Sequence, residues 1–219
     1  MRFPRNFLAI GLSLLFMVTA LGGHVAAAPA EPLAVVKQAV DEILVILQDK
    51  KLSVPSKKEE RRKRISAVVG GYFDFDEMSM RTLARSWRDR TPEERKQFAG
   101  LFRQLLERTY IDKVDNYCRE LDVSCTDKVV VFKRQEQQGN KAVVYTVFVR
   151  NNVETPVEYK LKNEAGKWQV YDVVIEGVSL VRNYRTQFES IITREQFSGL
   201  IAKMEEKVRK GEPMAEVKK

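Results

Sequence analysis

The chain has 219 residues, a formal charge of +8 and one histidine, His24. That length suits a single domain with a sizeable core. A chain without its first 28 residues would hold no histidine, which excludes Ser-His-Asp and Cys-His catalysis and histidine metal sites together.

Met1-Arg2-Phe3-Pro4-Arg5 is followed by an apolar run from Phe7 to Leu21, then Gly22-Gly23-His24 and Ala26-Ala27-Ala28. A basic start, a short apolar stretch and an A-x-A site predict a secretory signal peptide over residues 1–28, cleaved after Ala28. The run is shorter than the roughly 20 residues a spanning helix needs, so a membrane anchor is the weaker alternative. The residue immediately after the cleavage site is Pro29, not a cysteine, which argues against a lipoprotein anchor. Removing Arg2 and Arg5 lowers the formal charge by two, to +6. Such an excess suits anionic membranes or acidic partner surfaces.

From Pro29 the chain reads as helices, then strands, then helices: one domain over 29–211 with a charged tail over 212–219. Leu33, Val36, Val40, Ile43 and Leu47 share one helical face, predicting a first helix from Pro32 to Lys50. Val54-Pro55-Ser56 breaks it. The run Lys57-Lys58-Glu59-Glu60-Arg61-Arg62-Lys63-Arg64 is expected to be a solvated face of a second helix that stops at Gly70-Gly71. Asp74 with Glu77, and Thr91 with Glu94, are spaced as capping boxes, with Pro92 at the first helical position of the fourth helix. There Phe98, Leu101, Phe102, Leu105, Thr109 and Tyr110 make a wide apolar stripe, and the helix is expected to reach Tyr117.

From Lys128 the period changes to two. Val129 to Gln137, Lys141 to Arg150, Val153 to Lys162 and Lys167 to Glu176 read as four strands, with two-residue turns at Gly139-Asn140 and Asn151-Asn152. Pairing through the second turn puts Val144, Phe148, Val157, Tyr159 and Leu161 on one face. Val143, Tyr145, Val147 and Val149 make the other face of the second strand apolar as well, so that face is expected to need cover. Beyond Gly177, Leu180, Val181, Tyr184, Phe188, Ile191 and Ile192 suit a helix, and Thr193 is expected to cap a final one. The fold class is α+β: a four-stranded antiparallel sheet packed against helices that precede and follow it.

Cys118 and Cys125 lie between a helix and a strand of a chain expected to be exported. Their short spacing and an oxidising compartment favour a local disulfide over two free thiols.

Two stretches carry a family likeness. One is Phe73-Asp74-Phe75-Asp76, then Trp87, then Thr91-Pro92-Glu93-Glu94-Arg95-Lys96-Gln97-Phe98. The other is Trp168-Gln169-Val170-Tyr171-Asp172-Val173-Val174-Ile175-Glu176-Gly177-Val178-Ser179-Leu180, continuing through Asn183-Tyr184-Arg185 to Phe188. In order and spacing, behind a signal peptide, they resemble the MlaC or toluene-tolerance family of periplasmic phospholipid-binding proteins. The resemblance implies a nuclear-transport-factor-like fold in which a curved sheet wraps against helices and lipid tails insert between them. It also implies a periplasmic shuttle of phospholipid between an outer-membrane lipoprotein and porin complex and an inner-membrane ABC transporter complex. No enzymatic activity, cofactor or nucleic-acid partner goes with it. Cys118 and Cys125 lie outside the family's pattern.

The chemistry suits a carrier. Two acyl tails hold roughly 30 methylenes, and exposing them at about 0.8 kcal/mol each costs on the order of 24 kcal/mol. A carrier must therefore offer a large apolar pocket, so that loading and release are nearly isoenergetic. Val144, Phe148, Val157, Tyr159 and Leu161 are the candidate lining on the sheet; Phe98, Phe102, Leu105, Tyr184 and Phe188 are the candidates on the helices. Their pattern alone favours a solid core, and the resemblance reverses that preference for the set. Asp172 and Glu176, four apart on a strand, are spaced as an acid–base pair, but a hydrogen bond or ion pair fixing a strand end is the expected role. Glu176-Gly177 is expected to shape the exit into a helix capped by Ser179. The competing readings are a periplasmic adaptor or chaperone with a solid core, and a carrier of another lipid such as an isoprenoid.

Overall fold

The computed structural model describes residues 31–119, 129–150 and 152–214. The signal segment and Cys125 lie outside the described residues, whereas Cys118 falls in the last turn of the long central helix.

Three helices come first: α1 (Pro32–Gln48), α2 (Lys58–Tyr72) and α3 (Phe75–Leu83), with single 3₁₀ turns at Pro55–Lys57 and Ala84–Trp87. Helix α2 runs through Gly70-Gly71 rather than stopping there. Asp74 begins α3 as expected, its carboxylate accepting from the Glu77 backbone N–H at 2.8 Å. The return half of that box is absent, because the Glu77 side chain is held by Arg81 at 2.6 Å and Lys162 at 3.3 Å. Helix α4 (Pro92–Arg119) has the complete box: Thr91 Oγ1 accepts from Glu94 N, and Glu94 Oε2 accepts from Thr91 N.

The sheet has five antiparallel strands, one more than the sequence predicts: β1 (Val130–Gln138), β2 (Lys141–Arg150), β3 (Val153–Glu164), β4 (Lys167–Ile175) and β5 (Val178–Ser179). They follow one another across the sheet in chain order. Gln138 pairs with Lys141, Arg150 with Val153, Glu164 with Lys167 and Ile175 with Val178, so every strand returns through the shortest connection a hairpin allows. Gly139, at φ 58°, supplies the left-handed backbone that the first of these turns requires.

The register places Val144 opposite Tyr159, Thr146 opposite Val157 and Ala142 opposite Leu161, as the alternation predicts. Strand β4 carries a bulge: Lys160 pairs with Asp172 but Leu161 pairs with Val170. The extra residue, Tyr171, shifts the alternation so that Val170 and Val173 face the same side. The opposite face of β2 differs from expectation. Val143, Tyr145, Val147 and Val149 are half-buried rather than covered, and Arg134 lies 3.8 Å over the Tyr145 ring.

The two predicted C-terminal helices run on as one kinked element, α5 (Leu180–Lys210). Ser179 caps it, accepting from Arg182 N at 3.1 Å. Thr193 caps nothing: its hydroxyl donates to the Glu189 carbonyl at 2.8 Å, one turn back. The break comes three residues later, at Gln196, whose φ of 63° and ψ of −179° lie outside the helical region.

Two apolar clusters form. The helix cluster gathers residues of α3, α4 and α5 around Phe98, Phe102, Tyr184 and Phe188. The sheet cluster gathers Val144, Val157, Leu161, Val170 and Val173 beneath Val36 of α1 and Leu180.

Candidate functional site

The ten residues singled out from the sequence divide evenly between the two clusters. Phe98, Phe102, Leu105, Tyr184 and Phe188 belong to the helix cluster, all with 0% exposure. Their rings make one connected network. Phe98 meets Phe188 edge-on at 5.7 Å, and Phe102 meets Tyr184 edge-on at 5.3 Å and Phe188 at 5.8 Å. Such edge-to-face contacts add about 0.5–1.5 kcal/mol each beyond burial. Val144, Val157 and Leu161 are buried in the sheet cluster, and Phe148 and Tyr159 pack half-buried against it. The sequence therefore selects two apolar walls, and the fold holds each on separate elements: α4 and α5 for one, β2 and β3 for the other.

Phe73 and Tyr110 are half-buried and pack against both clusters, so they mark the seam between the walls. Phe73 is fixed there by the backbone: it makes a parallel bridge to Val170, and the next residue, Asp74, donates its N–H to the Val170 carbonyl at 2.9 Å. Tyr110 projects from the apolar stripe of α4. Neither was among the ten, although Tyr110 stands at the end of the stripe that revealed Phe98 and Phe102. Thr146 was passed over as polar. It is 2% exposed on the same face as Val144, and its hydroxyl donates to the Val157 carbonyl at 2.9 Å, so no free polar atom interrupts the wall.

The two clusters and the seam between them include the phenols of Tyr110, Tyr159 and Tyr184. Burial raises the pKa values of Tyr159, Tyr110 and Tyr184 above the ordinary tyrosine value. The mutual proximity of the Tyr110 and Tyr184 hydroxyls raises that of Tyr110 further. All three are therefore neutral donors at any physiological pH.

Asp172 is buried at 4% exposure, and its partners are structural. Its carboxylate accepts from Ser179 Oγ at 2.7 Å and from Val181 N at 3.1 Å, and Lys160 Nζ lies 3.5 Å away. It anchors the start of α5, where the helix dipole favours a negative charge. Glu176 does not share its face. It sits at φ 49° in the turn after β4, beside Gly177. The pair is too differently placed for acid–base work on one substrate.

Two surface clefts border this region, touching it through Leu101 and Trp168. One lies along α4 between Glu93 and Gln104, and one, of about 260 Å³, lies between the β1–β2 turn, Pro32 and Trp168. Neither includes any of the ten residues. Among the described residues no helix is long and apolar enough to cross a membrane, and no cluster of acidic, cysteine or histidine side chains is arranged to hold a metal.

Comparison with known proteins gives a consistent result. The family model described as MlaC protein matches residues 37–206. The intermembrane phospholipid transport system binding protein MlaC of Haemophilus influenzae is 23% identical over 199 residues, covering 88% of this chain and 90% of that protein. Toluene tolerance protein ttg2D of Pseudomonas putida is 25% identical over 165 residues, 74% of each chain. A phospholipid-binding protein from Ralstonia solanacearum, solved with a phospholipid bound, shares the fold with a TM-score of 0.72 at 24% identity, over 83% of this chain and 99% of that one.

Proposed function

The chain belongs to the MlaC family, and from that premise we propose that it is a periplasmic phospholipid carrier whose cargo lies with its acyl tails between the sheet cluster and the helix cluster. One observation carries the reading. Two apolar walls, each on its own elements, meet along a seam bordered by Phe73 and Tyr110. Tails entering that seam exchange contacts between the walls for contacts with methylenes, so apolar surface stays buried in both states. That near-balance is what transfer between membranes requires, because release must not have to overcome the roughly 24 kcal/mol that exposing two tails in water would cost. The named relatives act in intermembrane phospholipid transport and toluene tolerance. The transport-system name of one of them supports transporter partners; the proposed shuttle runs between an outer-membrane complex and an inner-membrane ABC transporter, without an enzymatic step or a cofactor.

The reading includes export, with the mature chain beginning at Pro29, and a disulfide between Cys118 and Cys125. Mass measurement of the periplasmic protein tests the first. Alkylation without reductant tests the second: two modified thiols in the folded protein would rule it out. The central test is native mass spectrometry with lipid extraction on protein purified from the periplasm. A co-purified phospholipid is the expected result. A lipid-free protein that takes up none from vesicles would favour an adaptor with a solid core, a reading supported by the complete burial of the helix cluster.

A further inference from the structure

Positive charge is spread unevenly over the chain. Residues 49–64, the link after α1 and the first half of α2, hold eight basic side chains and three acidic ones, a net +5 against +6 for the chain from Pro29 onward. Part of it is neutralised within the fold. Arg61 is buried on Asp115, and Lys58 and Arg62 both face Asp112, at 3.6 and 3.4 Å. Those two aspartates lower the local excess to +3. Lys50, Lys51 and Lys63 are exposed and make no ion pair with any described residue.

The link carries exposed apolar surface in a fixed shape. Val54 is 44% exposed, and Pro55 beside it is exposed and has no N–H to offer a partner. Leu52, two residues before Val54, is buried; its N–H donates to the Asp49 carbonyl at 2.9 Å and its carbonyl accepts from Arg61. The Lys57 N–H donates to the Val54 carbonyl at 3.0 Å, and Ser53 Oγ donates to the Lys50 carbonyl at 2.9 Å. A link already closed by these bonds loses little freedom when it meets a partner.

Its chemistry asks for negative charge and apolar depth together. The cations of the link itself, Lys50, Lys51 and Lys57, are all lysines, whereas protein interfaces enrich arginine and deplete lysine. A lysine stem can lie along apolar material while its ammonium stays with water and phosphate. An anionic bilayer surface offers phosphates to the ammonium groups and, just beneath them, an acyl boundary to the valine and proline. We propose that the α1–α2 link docks the protein on anionic membrane surfaces, Val54 and Pro55 entering the headgroup layer while Lys50, Lys51 and Lys63 meet lipid phosphates. This goes beyond the carrier reading and does not depend on it, because the residues of the link belong to neither wall.

The test is flotation of the full mature protein with vesicles of two compositions, pure phosphatidylcholine and phosphatidylcholine with about 30 mol% phosphatidylglycerol, an anionic surface of the kind lysines recognise. The unmodified protein is expected to bind the anionic vesicles about a hundredfold more tightly, roughly fivefold for each of the three unpaired lysines. Raising the salt from about 50 mM to about 300 mM, which shortens the screening length, should remove most of that preference. Lys50→Gln with Lys51→Gln is expected to weaken anionic binding about 25-fold. Val54→Ser should weaken it about three- to tenfold, in proportion to the apolar surface that enters. Lys141→Gln with Lys167→Gln, which removes two exposed lysines from the sheet hairpins, should leave it unchanged. Equal affinity of the unmodified protein for the two vesicles would overturn the proposal, as would binding that survives the Lys50 and Lys51 changes or the loss of Val54, or a loss of the same size in the hairpin variant. Retention on immobilised polyglutamate without binding to anionic vesicles would overturn it in favour of an acidic protein surface. Lipid content is measured on the same samples. A Lys50 and Lys51 variant that still co-purifies lipid but no longer floats is the expected result, and a protein that floats yet carries no lipid would sustain the docking and remove the carrier reading. The vesicle comparison is made first on the unmodified protein, so a variant that misfolds does not shield the idea.

Discussion

A guanidinium withdrawn from water needs acceptors that match its planar fork, and Arg61 has three. Itself 1% exposed, it donates Nε–H to one Asp115 oxygen, Nη2–H to the other at 2.9 Å, and Nη1–H to the Leu52 carbonyl. This ties α2, α4 and the link after α1 together. Arg61→Leu would remove the guanidinium that neutralises the buried Asp115 carboxylate, and the expected loss is about 3–5 kcal/mol in denaturant unfolding. Adding Asp115→Leu should recover part of that loss. Equal stability of the two variants would show that the aspartate does not depend on this guanidinium. The charge run around Arg61 reads in sequence as a solvated face, and its neighbours do lie at the surface. What singles out Arg61 is a partner 54 residues away, which no local pattern can reveal. A second effect at this scale concerns alkaline pH. Burial and a hydrogen bond to Glu42 at 2.6 Å push the Tyr72 phenol up from its ordinary value near 10 to about 12. A group whose folded value is raised holds its proton more tightly in the folded state. Its contribution is therefore whole below pH 10 and lost as pH rises through 12. Thermal melting should be level with respect to this group up to pH 10 and fall above it. In Tyr72→Phe the decline between pH 10 and pH 12 should be shallower.

Among the elements, α5 carries the clearest strain. Gln196, at φ 63° and ψ −179°, occupies a backbone region that belongs almost entirely to glycine. The neighbourhood enforces it. Phe197 packs into the helix cluster 6.4 Å from Phe98, and Arg90 lies 4.7 Å over its ring. A Cβ on Gly199 would meet the Glu195 Cβ at 2.5 Å, so the backbone before and after the kink is crowded. Gln196→Gly is expected to raise stability by about 1 kcal/mol, relieved strain exceeding the added chain entropy. Chemical denaturation measures it; a loss would mean that the side chain contributes contacts worth more than the strain. The same helix shows what sequence patterning captures at this scale. Its start was legible, because Ser179 is a capping residue before an apolar period. Its kink was not, because a threonine three residues early offered a more familiar signal. Strand β5 escaped for a simpler reason: Val178-Ser179 is too short to display alternation. The bulge at Tyr171 was hidden because inserting one residue breaks the period that reveals strands.

For the molecule as a whole, the two-wall arrangement sets the decisive experiment. Val157 is 6% exposed in the sheet cluster, opposite Thr146. Overpacking a solid core costs about 1–3 kcal/mol or more. If the walls part to admit tails, Val157→Trp should instead occupy their space. The expected outcome is a protein that no longer loads lipid but melts, when lipid-free, close to the unmodified one. Strong destabilisation, or lipid at the normal ratio, would remove Val157 from the lining. Eight of the ten candidates are buried and Phe148 and Tyr159 half-buried, and this was legible because apolar periodicity reports burial. Their division between walls was not, because periodicity assigns a residue to a face of its own element and says nothing about which other element it meets. Only the register across β2, β3 and β4, and the docking of α1 on that sheet, separate the two sets.

That docking has a consequence for how the chain comes to be built. The strands pair only with their sequence neighbours, so the sheet can assemble by successive hairpin closures with little loop entropy to overcome. Helix α1 is the opposite case. The backbone N–H of Leu33 is held by the Gln135 side chain at 2.8 Å, across 102 residues. Synthesised from its N-terminus, the chain therefore releases the cover of the sheet first and the sheet last. For that interval Val36 and the apolar face around it have no partner, and it is then that the nascent chain is most exposed to aggregation and most in need of a chaperone.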